Sequence, residues 1–167
     1  MHKENRLPQS PKEGILFMVI ISVISVNIIA PTIMMLGQGF NIENYLETLR
    51  IIPFMWVIIV LLITLVAEPI VGKVMPKFLG ETDGFNAHIL LNTFLTVTVI
   101  SVCMSIIGPW VGMREISIEP FQSFFPNWFK NFGVAIWVEL LIAQPIARFV
   151  MCKLHIKQKN KKETTYF

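Results

Sequence analysis

Four apolar runs, at residues 15–36, 53–75, 89–111 and 132–151, constrain this chain more than anything else in it. Crossing about 30 Å of hydrocarbon takes roughly 20 apolar residues in a helix rising 1.5 Å per residue, and each run meets that length. A membrane barrel would instead need alternating segments of about ten residues, and these runs are continuous. Of 167 residues, 54% are hydrophobic and only 15% charged, with a mean hydropathy of +0.63, which leaves too few charges for a soluble surface of this size. The expected fold is an all-α transmembrane four-helix bundle. The first run is too long for a signal-peptide core and no small-x-small cleavage site follows it, so it is expected to be a retained helix.

The runs are related in pairs. Val23-Ile24-Ser25-Val26 recurs as Val99-Ile100-Ser101-Val102, 76 positions later. The same offset, without a gap, lays Ile42-Glu43 on Ile118-Glu119, Leu65 on Leu141, and Ala67, Pro69, Ile70, Val74, Met75 and Lys77 on Ala143, Pro145, Ile146, Val150, Met151 and Lys153. Each copy holds two spans, so the chain returns to its starting side before the second copy begins, and the two copies are expected to be parallel about a pseudo-twofold axis along the membrane normal. Internal symmetry of this kind is common in carriers, whose sites gather at the repeat interface; the alternative is a duplication that stabilised an older homodimer of helix pairs. The expected units are residues 1–80, the first helix pair with a cytoplasmic N-terminus, and 81–167, the second pair with a basic cytoplasmic tail. The Pro- and Gly-bearing turn at 76–84 is the boundary.

Eleven of the fourteen Lys and Arg fall on one side of these spans: Lys3, Arg6 and Lys12; Lys73 and Lys77; and Arg148, Lys153, Lys157, Lys159, Lys161 and Lys162. Arg50, Arg114 and Lys130 remain for the other. Basic residues are retained in the cytoplasm, so both termini are expected there, in a multi-pass protein of the cell membrane. The tail lysines have the juxtamembrane placement expected for anionic lipid headgroups, and nucleic acid is not expected as a partner. Cys103 and Cys152 lie where no oxidising compartment pairs them. His2, His88 and His155 lack metal-ligand spacing, and no metal or cofactor is expected.

The outer connections carry matching start signals, Asn41-Ile42-Glu43 and Ser117-Ile118-Glu119, each an N-cap residue followed by an acid in the first turn. Short interfacial helices are expected from both, with Ile42, Tyr45, Leu46 and Leu49 in one and the aromatic set Phe121, Phe124, Phe125 and Trp128 in the other. Lys12-Glu13-Gly14-Ile15-Leu16-Phe17 leading into a Ser-bearing span, Phe121 with Trp128 seven residues on, and the ending Gln144-Pro145-Ile146-Ala147-Arg148 resemble the bacterial membrane proteins known as domain of unknown function 2798. The resemblance covers residues 11–155. It implies a four-helix bacterial membrane protein, with tandem copies of a helix pair, and brings no established catalytic residues. The chain departs from the family pattern in Glu68, placed before the first proline, and in Glu139, placed in mid-helix.

Those two acids are the candidate binding residues. A charged side chain at the centre of a span costs about 2.5–3.5 kcal/mol on insertion scales, so intramembrane acids face a bundle interior or a wet cavity. Withdrawal from water favours the protonated form of a carboxyl, which would let either glutamate exchange a proton for a cationic ligand. The structural alternative is that Glu68 bonds Gln144 or pairs with Arg148 while Glu139 bonds another helix. The repeat lays Gln144 on Glu68 and Ile63 on Glu139, so the halves differ in their polar residues. Gln144 and Asn27 are the candidate polar lining, Asn27 alternatively cementing two helices. Ser22, Ser25 and Ile29, echoed by Thr98, Ser101 and Ser105, share a face suited to close helix packing, and Asn92 shares a face with Thr96. Trp137 is expected in the core. No phosphate-binding Gly-rich loop, H-E-x-x-H or Ser-His or Cys-His set is present, and an enzyme is not expected. Two functions are consistent with this reading: a small proton-coupled carrier or exporter of amphipathic or cationic compounds, enlarged by homodimerisation, or a non-transporting interaction or stability factor for a larger complex.

Overall fold

The computed structural model describes residues 7–80 and 84–165, all but the connections helical and none in a strand. Helix α1 (Pro11–Gln38) starts where the Ser10 side chain accepts from the Glu13 N–H and Pro11 supplies a preset φ, and it stops at Gly39, whose φ of 91° a side chain would strain. Helix α2 (Ile42–Leu62) is capped by Asn41 and passes through a π-turn (Ile63–Ala67) into α3 (Glu68–Val74) and a 3-10 turn (Met75–Lys77). Helix α4 (Phe85–Met113) ends on Arg114 in the left-handed region. A single turn, α5 (Glu119–Gln122), precedes α6 (Phe124–Val138), a second π-turn (Glu139–Ala143) and α7 (Gln144–Thr165). The result is four rods long and apolar enough to cross a membrane: α1, α2–α3, α4 and α6–α7.

Two sequence expectations change here. The first outer connection forms no separate interfacial helix: Asn41 caps the second rod itself, because Thr48 is buried and the chain runs on helically to Lys77. In the second connection only a single turn forms, preceded by Ile118 with no cap bond from Ser117, and Phe124, Phe125 and Trp128 belong instead to the long helix α6. The expected boundary at 76–84 includes 81–83, which lie outside the described residues, as do His2, Lys3 and Arg6.

Helix α1 packs most extensively on α2 and α4 on α6, while α1 also meets α6 and α7, and α2 meets α4. This places α1 and α4 on one diagonal of a square and the other two rods on the second. The bundle is inverted relative to a soluble one. Ile15, Phe54, Leu65 and Leu141 point outward, whereas Ser22, Ser25, Thr93, Ser101, Ser105 and Asn131 are buried beside Val26, Ala67, Ala143 and Ala147. Lipid is as apolar as leucine, so helices gain nothing by hiding leucine; small and hydrogen-bonding residues at the contacts hold them together.

The two π-turns stand 76 residues apart, the offset found in the sequence, and each precedes a proline. Pro69 and Pro145 lack an N–H, and in an α-helix each ring would strike the carbonyl four residues back. The backbone widens instead: the N–H of Glu68 bonds the Ile63 carbonyl and that of Gln144 bonds the Glu139 carbonyl, each five residues back. Ala67 and Ala143, the last residue of each turn, have no exposed surface. Enlarging one of them overpacks a rod contact. Ala143→Leu is expected to destabilise the bundle by about 1–3 kcal/mol, measured as a lowered midpoint of thermal unfolding in detergent, whereas Leu141→Ala, in the same turn but facing outward, should leave the midpoint nearly unchanged.

Candidate functional site

A cavity of about 710 Å³ runs between the rods and is lined from all four of them. Its long walls are aliphatic and Met-rich, including Met34, Met55 and Met104, and its polar groups are few and placed on specific turns. At mid-depth is Glu139, half-buried at the start of the second π-turn, where the Ser25 hydroxyl of α1 donates to Oε2. This is the carboxylate bonding to another helix. Ser25 also stands beside Ser22, which accepts from the Trp56 indole at 3.1 Å. In the second half the Trp128 indole donates to Ser101 at 3.0 Å. The two Trp–Ser bonds are not at equivalent repeat positions but one helical turn apart, so the halves use the same device at slightly different depth.

Glu68 and Gln144 also line the cavity, toward the end where the chain termini lie. Glu68 is exposed there and bonds neither Gln144 nor Arg148; the Gln144 amide instead donates to Thr93 on α4 at 3.1 Å. Asn92 and Thr96 line the same wall. Asn27 is not brought to this site: it is exposed on the outer surface of α1, with its amide turned back onto the Val23 carbonyl at 2.8 Å. Two residues along a helix is about 200° of rotation, so a face that turns Ser25 inward turns Asn27 outward. The same geometry applies to Trp137, two residues before Glu139; it is 64% exposed and lies outside the core.

Sequence reasoning passed over the far end of the cavity. Asn131 is buried, its amide donates to Ser105 at 3.0 Å, and its carbonyl oxygen has no partner. It precedes Glu139 by two turns on the same helix, about 12 Å at 1.5 Å per residue, and that spacing is the signal that was available. Lys130 and Asn127 lie beside it on the cavity wall. At the opposite end Glu13 of α1 meets His155 of α7, Oε2 to Nε2, at 3.1 Å, and also accepts from the Gln9 N–H. This contact joins the first rod to the last. Among the described residues no group of three His, Cys, Asp or Glu could hold a metal ion, and Cys103 and Cys152 are free thiols.

Four membrane-length rods around a polar-stitched cavity define a multi-pass helical membrane protein. Residues 86–155, most of the second helix pair, match the family described as Domain of unknown function (DUF2798). The resemblance noted over residues 11–155 is thus shown for its second part. No curated protein and no solved structure matches the chain.

The Trp–Ser stitches should be measurable singly. A double-mutant cycle of Trp128→Phe and Ser101→Ala, followed by unfolding in detergent, should give a coupling of roughly 0.6 kcal/mol. Asn27→Leu, which replaces an outward amide with an apolar side chain, should not lower stability.

Proposed function

We propose that this protein is a small proton-coupled carrier or exporter of amphipathic or cationic compounds in a bacterial cell membrane, with both termini in the cytoplasm. The observation that carries the reading is Glu139 at mid-depth in a cavity of about 710 Å³, within the few hundred to a thousand Å³ usual for sites that take drug-sized ligands. Its apolar, methionine-rich walls suit the body of such a compound, methionine being unbranched and able to adapt to different shapes. Its carboxyl supplies the one charge the compound's cation needs. In the exchange, Glu139 gives up a proton as the cation binds and regains one as it leaves, while Glu68 and Gln144 form a polar passage to the cytoplasmic end. The two copies of the helix pair are parallel, related by an axis through this cavity. Their divergence, with Glu139 laid on Ile63 and Gln144 on Glu68, gives the pathway a direction. No catalytic set is invoked, and a homodimer would widen the path without changing the site.

The alternative, an interaction factor that uses its Ser faces to hold another protein, has less to work with. Ser22, Ser25, Ser101 and Ser105 are buried and already bonded within the bundle.

The test is proton movement in sealed liposomes containing the full chain, with an imposed pH gradient and a panel of lipophilic cations. At least one cation is expected to collapse the gradient with the native protein and with Asn27→Leu, and none with Glu139→Gln. If no cation does so, or if Glu139→Gln transports as well as the native chain, the carrier reading is wrong.

A further inference from the structure

A second concavity, a groove of about 690 Å³, lies on the outside of the bundle between the first turns of α4 and the helix formed by α7, at the end where the termini lie. Its walls are Ile89 and Leu90 of α4 and Leu140 and Phe149 of the last rod, with Leu90 and Phe149 more than half exposed. Arg148 and Gln144 stand one turn apart on its floor.

Arg148 is the anomaly. It is at least partly buried, its Nε is shut off from solvent without a hydrogen-bond partner, and no carboxylate among the described residues pairs with it. Gln144 is held by its amide to Thr93, which leaves its carbonyl oxygen buried and without a partner as well. A guanidinium Nε shut off from solvent without a partner, near the end of a membrane-spanning helix, costs free energy that an acceptor from outside the chain would recover. The first half lacks this arrangement, since the repeat lays Gly72 on Arg148.

We propose that this groove binds an anionic phospholipid of the phosphatidylglycerol class. The planar guanidinium of Arg148 matches two phosphate oxygens, as an ammonium does not. A headgroup hydroxyl supplies the donor that the Gln144 carbonyl lacks, and an acyl chain follows Leu90 and Phe149 outward. Lys153, whose ammonium lies 4.6 Å from the centre of the Phe149 ring, adds positive charge at the rim. A lipid fits better than a free anion because the groove is apolar and opens sideways to where acyl chains lie. The site is separate from the basic tail, whose attraction to headgroups is diffuse, and it is independent of any transport.

The experiment is native mass spectrometry of the full-length chain in detergent, titrated with phosphatidylglycerol, phosphatidylcholine or inorganic phosphate. The native chain should retain phosphatidylglycerol with about tenfold preference over phosphatidylcholine, the scale of one charge-assisted contact. Arg148→Gln should abolish the preference, Arg148→Lys should keep only part of it, and Lys157→Gln should leave it intact. If Arg148→Gln cannot be purified folded, the Arg148→Lys and Lys157→Gln pair decides the matter by the same ordering. The proposal is overturned if Lys157→Gln removes the preference as fully as the Arg148 variants, which would make it tail electrostatics, or if inorganic phosphate displaces the lipid, which would make it a free-anion site.

Discussion

Hydroxyl groups and small side chains at the helix contacts hold this bundle together. The usual drive to bury leucine is missing when the solvent is itself hydrocarbon, and close packing and hydrogen bonds have to supply the attraction. Ser22 and Ser101 each take an indole N–H from the neighbouring rod of their own half. Ser105 takes the Asn131 amide. Ser25 is the described hydroxyl that reaches from the first half to the second, onto Glu139. The one carboxyl at mid-depth is therefore part of the scaffold as well as the candidate site, and the position of its charge is tied to how the two halves meet.

The two halves agree in backbone frame and differ in polar groups. What the halves share is backbone: a proline, the π-turn before it and a buried alanine at its end. What they do not share is polarity. Glu139, Asn131 and Arg148 all belong to the last rod and fall on Ile63, Met55 and Gly72 of the second rod. These three groups thus lie on one rod of the four, and the first half brings Ser25 and Glu68 to the cavity.

The spans were legible because their length is dictated by the bilayer, and the 76-residue offset was legible because Ala67 and Pro69, which shape the backbone, recur as Ala143 and Pro145. Glu139 could be read because an acid at mid-span has few excuses. Direction around the helix was harder to read. In a soluble helix an apolar stripe marks the inside, but here both sides are apolar, and Asn27 and Trp137 had only depth to recommend them. Their spacing from Ser25 and Glu139 already placed them on the opposite face. The continuity of the second rod through Thr48 was hidden for another reason: Asn41-Ile42-Glu43 starts a helix whether that helix is short or long.

Each π-turn fits one more residue into a helical turn than α geometry allows, and one residue corresponds to about 100° of rotation. The stretch of rod beyond it is therefore turned relative to the stretch before it, so the second and fourth rods each present two differently oriented faces. In the last rod, Asn131 and Glu139 are set by the part before the turn, while Arg148, Met151 and His155 are set by the part after it. Were the turn one residue shorter, the far part would face another way as a unit, with Arg148 out of its groove and His155 away from Glu13 while Glu139 stayed against Ser25. The two prolines make the end of each rod a separate dial on a common shaft.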